Sequence, residues 1–396
     1  MKFANRMANI ISSQSLSIIA EVKELRRTGV DVVDFGQQGN TPTIARVAAG
    51  IVINDAEGSF YSNSRGLPIL RQEIADKLST ENGFEADPDT NIIITVGAKQ
   101  GILTALLALI DRDDEVLLDD PGWISFAPMV QITGATPIAV PLVEENSFRS
   151  TTESFRQRIT ARTKLIILCN PHNPTGRCLS REELSEIATL AQEFDLFVLM
   201  DEAYEHFSYD NKKFVSMASL PGMAERTITA QTVSKIYNMA GWRVGWVVAN
   251  RNVIDRMLAI HTHLVSCPTT FAQAGVAAVI SAGIGEGDLP LGEIVANYET
   301  QRNSMVNGLR NIDGLSCFMP EGAFFAFPNI KKFGKNSVDM SRYLLDQARV
   351  STIPGSAFGE GGEGHVRVVF KTNVKEIERG LHRIAEALSK LKFDGK

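Results

Sequence analysis

Lys235 stands in the run Thr232-Val-Ser234-Lys235-Ile-Tyr-Asn-Met-Ala-Gly-Trp-Arg243-Val-Gly-Trp246, among hydroxyls, small residues and aromatics, with an arginine eight residues on. A lysine becomes an amine nucleophile where apolar surroundings or a nearby cation disfavour its ammonium form, and it then forms an imine with an aldehyde. Thr232, Ser234 and Arg243 add the hydroxyls and guanidinium that a phosphate needs. Pyridoxal phosphate is an aldehyde that carries such a phosphate. Taken alone, the run reads more readily as a loop with a solvated lysine.

Five further motifs bear on that choice. Val96-Gly97-Ala98-Lys99-Gln100-Gly101 joins an apolar run to a helical pattern, so free backbone amides would face an anion there, with small residues allowing close approach. Asp201, in Asp201-Glu-Ala-Tyr204, follows a buried run and could pair with a protonated ring nitrogen, which keeps a pyridinium charged as an electron sink. A helix N-cap is the other reading of that aspartate. Asn170-Pro-His-Asn173-Pro-Thr-Gly176 has two Asn-Pro steps, which make a rigid turn and raise the chance of cis peptides. Such a turn could hold the Asn173 amide near a ring oxygen, or be simply a tight loop. Trp123 could stack on a planar ring or fill the core. Arg367, in His365-Val-Arg-Val-Val-Phe370, alternates with Val366 and Val368, and its planar fork suits a carboxylate or a surface salt bridge.

The elements that would position these residues alternate short β-branched runs with helical patterns, the signature of a parallel sheet with crossover helices. Strands are expected over 91–96, 115–118, 136–140, 165–169, 196–200, 227–230 and 243–248, with a helix over 99–110. Ligands of such sheets bind beyond the carboxyl ends of the strands, where the polar motifs begin. The pattern changes after about Ser281: a Gly-rich turn, Ala282-Gly-Ile-Gly-Glu-Gly287, leads to helical patterns over 294–309, 341–349 and 374–391 and a strand over 365–370. The expected fold is therefore α/β, with a mostly parallel seven-stranded sheet between helices and a smaller α+β domain. The large domain spans 46–280; residues 1–45 and 281–396 form the small one.

At 396 residues the chain exceeds the usual single-core size, and 44% hydrophobic with 22% charged residues is ordinary globular composition. A formal net charge of -6 with no long basic run argues against nucleic acid. Cys169, Cys178, Cys267 and Cys317 lack the close pairs of zinc or redox motifs, so no metal is expected and the thiols read as reduced and mostly buried. Polar residues interrupt the N-terminal run and no segment approaches a continuous transmembrane span, so a cytoplasmic, membrane-free protein is expected.

Together the motifs resemble the class I/II aminotransferases of the aspartate-aminotransferase-like superfamily, fold type I of the pyridoxal-phosphate enzymes, over most of the chain. Ser234-Lys235 with Gly241-Trp-Arg243, Asn170 to Gly176, and Asp201-Glu-Ala-Tyr204 match the family's lysine, asparagine and aspartate motifs in order and spacing. The resemblance implies that Lys235 is the Schiff-base lysine and moves the proton. It also implies that Asp201 holds the ring nitrogen, Tyr204 and Asn173 the ring oxygen, and that Trp123 stacks on the ring. Gly97, Ala98, Lys99, Thr232, Ser234 and Arg243 would surround the phosphate. Tyr61 would reach the cofactor of a neighbouring subunit in a homodimer with shared sites. Arg367, with Asn173 and the backbone at Gly36, would bind the substrate carboxylate.

The expected activity is ping-pong transfer of an amino group between an L-amino acid and a 2-oxo acid, as part of amino acid metabolism. One loop departs from the family: a Gly-Glu-Pro-Asp-Phe type sequence is replaced by Gly36-Gln-Gln-Gly-Asn-Thr-Pro42. It motivates an alternative, a lyase, cyclase or oxidase-like enzyme on the same fold. A sensor fused to a DNA-binding module is disfavoured, because the chain begins close to the family's core.

Overall fold

The computed structural model describes residues 13–36, 56–282 and 291–391, with Ala4, Met7 and Ile10. The polar stretch 37–42, the Gly-rich turn beyond Ala282 and the expected boundary at residues 45 and 46 lie outside them. β1 (Val33–Asp34) is followed by seven strands of one sheet: β2 (Ile92–Thr95), β3 (Glu115–Asp120), β4 (Thr136–Pro141), β5 (Thr163–Cys169), β6 (Phe197–Asp201), β7 (Thr227–Thr232) and β8 (Gly245–Val248). Their order across the sheet is β2-β8-β7-β6-β5-β3-β4. All seven expected strands are present within a few residues of their expected bounds.

Neighbours from β4 to β7 pair in parallel, whereas β8 runs antiparallel to both β7 and β2. Reversal of one strand decides what lies at the ligand edge. β2, β3, β5, β6 and β7 end there, while β8 begins there, so the residues just before β8 join those that follow the other strands. Arg243, expected as the first residue of that strand, instead precedes it in a left-handed conformation (φ 57).

Strand burial explains why the sequence runs are continuously apolar. Leu117, Ile166, Leu168, Val198 and Met200 face one core cluster, and their neighbours Val116, Leu118, Leu165, Ile167 and Leu199 face another. The helix Arg181–Glu193 covers the first face through Leu184, Ile187, Ala188 and Ala191, at helical spacing. Its start is fixed by a capping box: Ser180 Oγ accepts from the Glu183 N–H and Glu183 accepts from the Ser180 N–H. The helix Gly97–Leu109 covers the opposite face with Ile102, Ala105 and Leu106. Each fully buried aliphatic side chain adds about 1.5–3 kcal/mol of transfer free energy, which holds the strand ends in place.

Four short strands follow: β9 (Phe325–Ala326), β10 (Val350–Ser351), β11 (Ile353–Pro354) and β12 (Val366–Val369). β12 lies between β11 and β9, antiparallel to both, and β1 pairs in parallel with β10. The helices Leu291–Arg310 and Val374–Leu388 agree with expectation, and the expected 341–349 helix is Ser337–Tyr343 followed by a wider turn, Leu344–Ala348. Among the described residues no helix is long and apolar enough to cross a membrane. Cys169 and Cys317 are buried; Cys178 and Cys267 are only partly so, and all four are free thiols.

Candidate active site

Five strand ends bring the sequence motifs to one edge of the large sheet. Asp201 is the last residue of β6, and Asn170 follows β5. Both Asn-Pro steps are cis. The Asp201 side chain is buried and its Oδ1 accepts from the Ala203 N–H at 3.1 Å, closing a short turn rather than capping a helix. Burial raises its pKa to about 6, while Lys235 and Lys99 pull in the opposite direction. Among the described residues, no cation lies within ion-pair distance of it.

Lys235 follows β7 by three residues, and its Nζ lies 5.4 Å from the centroid of the Tyr204 ring. Burial lowers its pKa to about 8; Asp201 acts against that, and Lys371 and Arg367 act with it. The reactive-amine reading thus has a physical basis in apolar surroundings and in two further cations. Tyr204 is packed edge to face against Phe324 and Phe325 at 5.3 and 5.4 Å. Burial holds its pKa well above the usual phenol range, with Arg367 and the Asn173 side chain acting against that rise.

Arg367 donates from Nη1 to Asn173 Oδ1 at 3.0 Å, which places the guanidinium and the amide together near Tyr204. It is buried, not a surface partner. The guanidinium lies between the Phe325 and Phe358 rings, at 4.6 and 4.9 Å, and Nη2 reaches the Gly36 carbonyl oxygen at 3.5 Å. Strand alternation suggested one exposed face, but β12 is buried on both. Burial lowers the pKa to about 10, and Nε is buried without a hydrogen-bond acceptor among the described residues. A planar anion would supply acceptors to such a fork.

The anion end is built on the helix Gly97–Leu109. Val96 gives no side-chain cap, so the first-turn amides keep their donors. Gly97 has φ +72, and a Cβ there would stand 2.5 Å from Arg243 Nη2. At Gly245 a Cβ would meet the Ala98 nitrogen at 2.5 Å, which is how closely β8 approaches the helix start. The Arg243 guanidinium is tethered by donation to Ala240 O at 2.9 Å and Val96 O at 3.2 Å. Thr232 Oγ1 and Ser234 Oγ lie 2.8 Å apart beside it. This donor set of hydroxyls, helix amides and a guanidinium fits a phosphate ester, and the buried Asp201 carboxylate fits a ring N–H.

Trp123 meets Phe126 edge to face at 5.1 Å, and Lys99 Nζ lies 4.8 Å from the indole ring. Burial of its stem and the nearby Arg243 lower the Lys99 pKa. Tyr61 stands apart from this group and is 89% exposed, next to Phe60 at 73%. Sequence reasoning missed Lys371 and Asn238, which pack behind Lys235, and the buried pair Asp119 and His172, 3.9 Å apart, the histidine lying within the Asn170 loop. Burial raises Asp119 to about 7 and lowers His172 to about 3. Apolar neighbours hid the aspartate, and nothing local signals any of these pairings.

The profile of the family described as aminotransferase class I and II matches residues 31–384. Over 376 residues the chain is 38% identical to the aspartate aminotransferase of Pyrococcus abyssi, covering 95% of each. It is 39% identical over 335 residues to aromatic-amino-acid aminotransferase 2 of Thermococcus litoralis, covering 85% of each. Among solved structures, the aspartate aminotransferase of Thermus thermophilus with maleate superposes with a TM-score of 0.90 at 28% identity, covering 98% of this chain and 100% of that one.

Proposed function

Because the chain belongs to the aminotransferase class I and II family and is an aminotransferase, we propose that it holds pyridoxal 5'-phosphate on Lys235 and works in two half-reactions. In them it moves an amino group from an L-amino acid to a 2-oxo acid. The observation that carries this reading is the meeting of Lys235, Asp201, Tyr204 and the hydrogen-bonded pair Arg367–Asn173 at one sheet edge. When bound, the cofactor supplies an electron sink for negative charge at the substrate α-carbon.

The chain supplies the rest. Lys235 Nζ, neutral in an appreciable fraction near pH 8, would hold the cofactor through its amine and move the proton at the substrate α-carbon. Asp201 keeps the ring nitrogen protonated. Tyr204 and Asn173 hold the ring oxygen, and Trp123 covers the ring face. Gly97, Ala98, Lys99, Thr232, Ser234 and Arg243 hold the phosphate, partly through helix amides. Arg367 takes the substrate carboxylate, steadied by Asn173 and the Gly36 carbonyl. The printed names of the relatives, aspartate and aromatic-amino-acid aminotransferases, support amino acid and 2-oxo acid partners.

A homodimer with Tyr61 completing the opposite site is part of this reading. Phe60, Tyr61, Ile69 and Phe271 are large, exposed and apolar, as a covered surface would be. The division into a large domain, 46–280, and a small domain of both termini is supported by the β1–β10 pairing. A cytoplasmic setting accords with thiols kept as free cysteines.

Purified holoprotein mixed with a panel of L-amino acids should lose the visible absorbance of the lysine-bound cofactor, and a 2-oxo acid should restore it. If no amino acid produces the change, or no 2-oxo acid reverses it, transamination is wrong. Lys235→Ala should still bind cofactor but give no borohydride-reducible linkage; recovery of that linkage would move the role to another amine.

A further inference from the structure

The strand that carries Arg367 runs on to a second lysine for which the proposed reaction has no use. Lys371 is buried, and its Nζ donates to Asn238 Oδ1 at 2.9 Å. It also lies 5.8 Å from the centroid of the Phe324 ring. Both contacts lead back to Lys235. Asn238 stands three residues beyond it, in a left-handed conformation (φ 54), and its N–H donates to the Lys235 carbonyl oxygen at 3.1 Å. Phe324 packs edge to face on Tyr204 at 5.3 Å, and the Tyr204 ring lies 5.4 Å from Lys235 Nζ.

Among the described residues, the contacts of the Lys371 ammonium are the Asn238 side-chain oxygen and the Phe324 ring, with no carboxylate among them. Its charge is therefore met by a neutral amide and an aromatic face, and neither cancels its field at a neighbouring amine. We propose that Lys371 is a positioning residue for the reactive amine: through Asn238 it fixes the turn that carries Lys235, and it keeps a positive charge beside Nζ that favours the neutral form. The proposal rests on the reading of Lys235 as the cofactor-holding amine.

The other groups facing Lys235 set the sign. Asp201, from β6, favours its protonated form, whereas Arg367, from β12, acts with Lys371 against it. The Cys169 thiol, from β5, is kept neutral by burial. Burial alone lowers the Lys371 pKa to about 8, so its charge, and its influence, are present below that pH and fade above it.

The test is a spectrophotometric titration of the lysine-bound cofactor, from pH 5 to 10, in wild-type holoprotein and in Lys371→Met, Lys371→Gln and Lys371→Arg. Removal of the cation should raise the midpoint by roughly half a unit to one unit, the scale of one nearby, partly screened charge. Arg should restore it. Gln keeps a donor for Asn238 and serves if Met disturbs folding. An unshifted midpoint in both uncharged variants, with cofactor covalently held, overturns the proposal, as does a shift in Arg equal to that in Met. A wild-type holoprotein without a reducible lysine-bound chromophore overturns the Lys235 assignment and this proposal with it; a normal wild-type titration leaves only the latter at stake.

Discussion

Lys235 is held between opposing influences: burial and two cations push its pKa down to about 8, and Asp201 pulls it up. Linkage gives this a sign. Between pH 8 and the unfolded value of 10.5, the unfolded state binds the proton that the native state has lost, so stability rises with pH across that window. The apoprotein should therefore gain stability relative to Lys235→Met between pH 8 and 10.5, read as the difference in denaturation midpoints at each pH; a constant difference would contradict the depressed pKa. Arg367→Ala removes a charge-assisted fork and leaves Asn173 Oδ1 without its donor. It should raise KM for amino acids by about 30-fold or more, corresponding to roughly 2 kcal/mol or more of lost interaction, with less effect on kcat. Saturation curves for one amino acid before and after substitution decide it. Lys235 was legible because it sits in a short motif just past a strand end, and Arg367 because a charge interrupts an apolar strand. Lys371 was not, because its partner Asn238 is 133 positions away and only tertiary packing joins them.

At the scale of elements, the seven strands could be read from apolar runs, but the direction of β8 could not, since an apolar run carries no sign. That direction brings Arg243 to the helix Gly97–Leu109. Gly97→Ala would place a Cβ against the Arg243 guanidinium at a left-handed backbone position. It should weaken cofactor binding by about 10-fold or more and cost about 1–2 kcal/mol of stability. Cofactor titration by fluorescence checks the first and urea denaturation the second. Gly245→Ala meets backbone atoms, Ala98 N at 2.5 Å and Gln231 O at 2.7 Å, which cannot rotate away. Its larger loss should therefore be in stability.

At the scale of the whole molecule, the proposed homodimer, in which the exposed Tyr61 would complete the site of a second copy, is open to a direct test. Lys235→Ala and Tyr61→Ala proteins, each inactive or weak, should regain about one quarter of wild-type activity after being unfolded together and refolded. Half of the dimers are then mixed and one site in each is intact. Recovery no greater than the sum of the two parents would place Tyr61 in its own subunit's site or outside any site. The sequence suggested this partnership only through resemblance, because an exposed aromatic looks the same whether a neighbour or water covers it.

The pairing of β1 with β10, and the hydrogen bond from Arg367 to Gly36 across 331 positions, also set an order of events during synthesis. A ribosome delivers the whole large sheet before the partners of Val33 and Gly36 have emerged. The nascent protein should then be able to grip a phosphate before it can recognise a carboxylate. In refolding followed by pulsed hydrogen exchange, amides of β5 to β7 should gain protection ahead of those of β1 and β10; simultaneous protection would show that the two ends are recruited with the sheet.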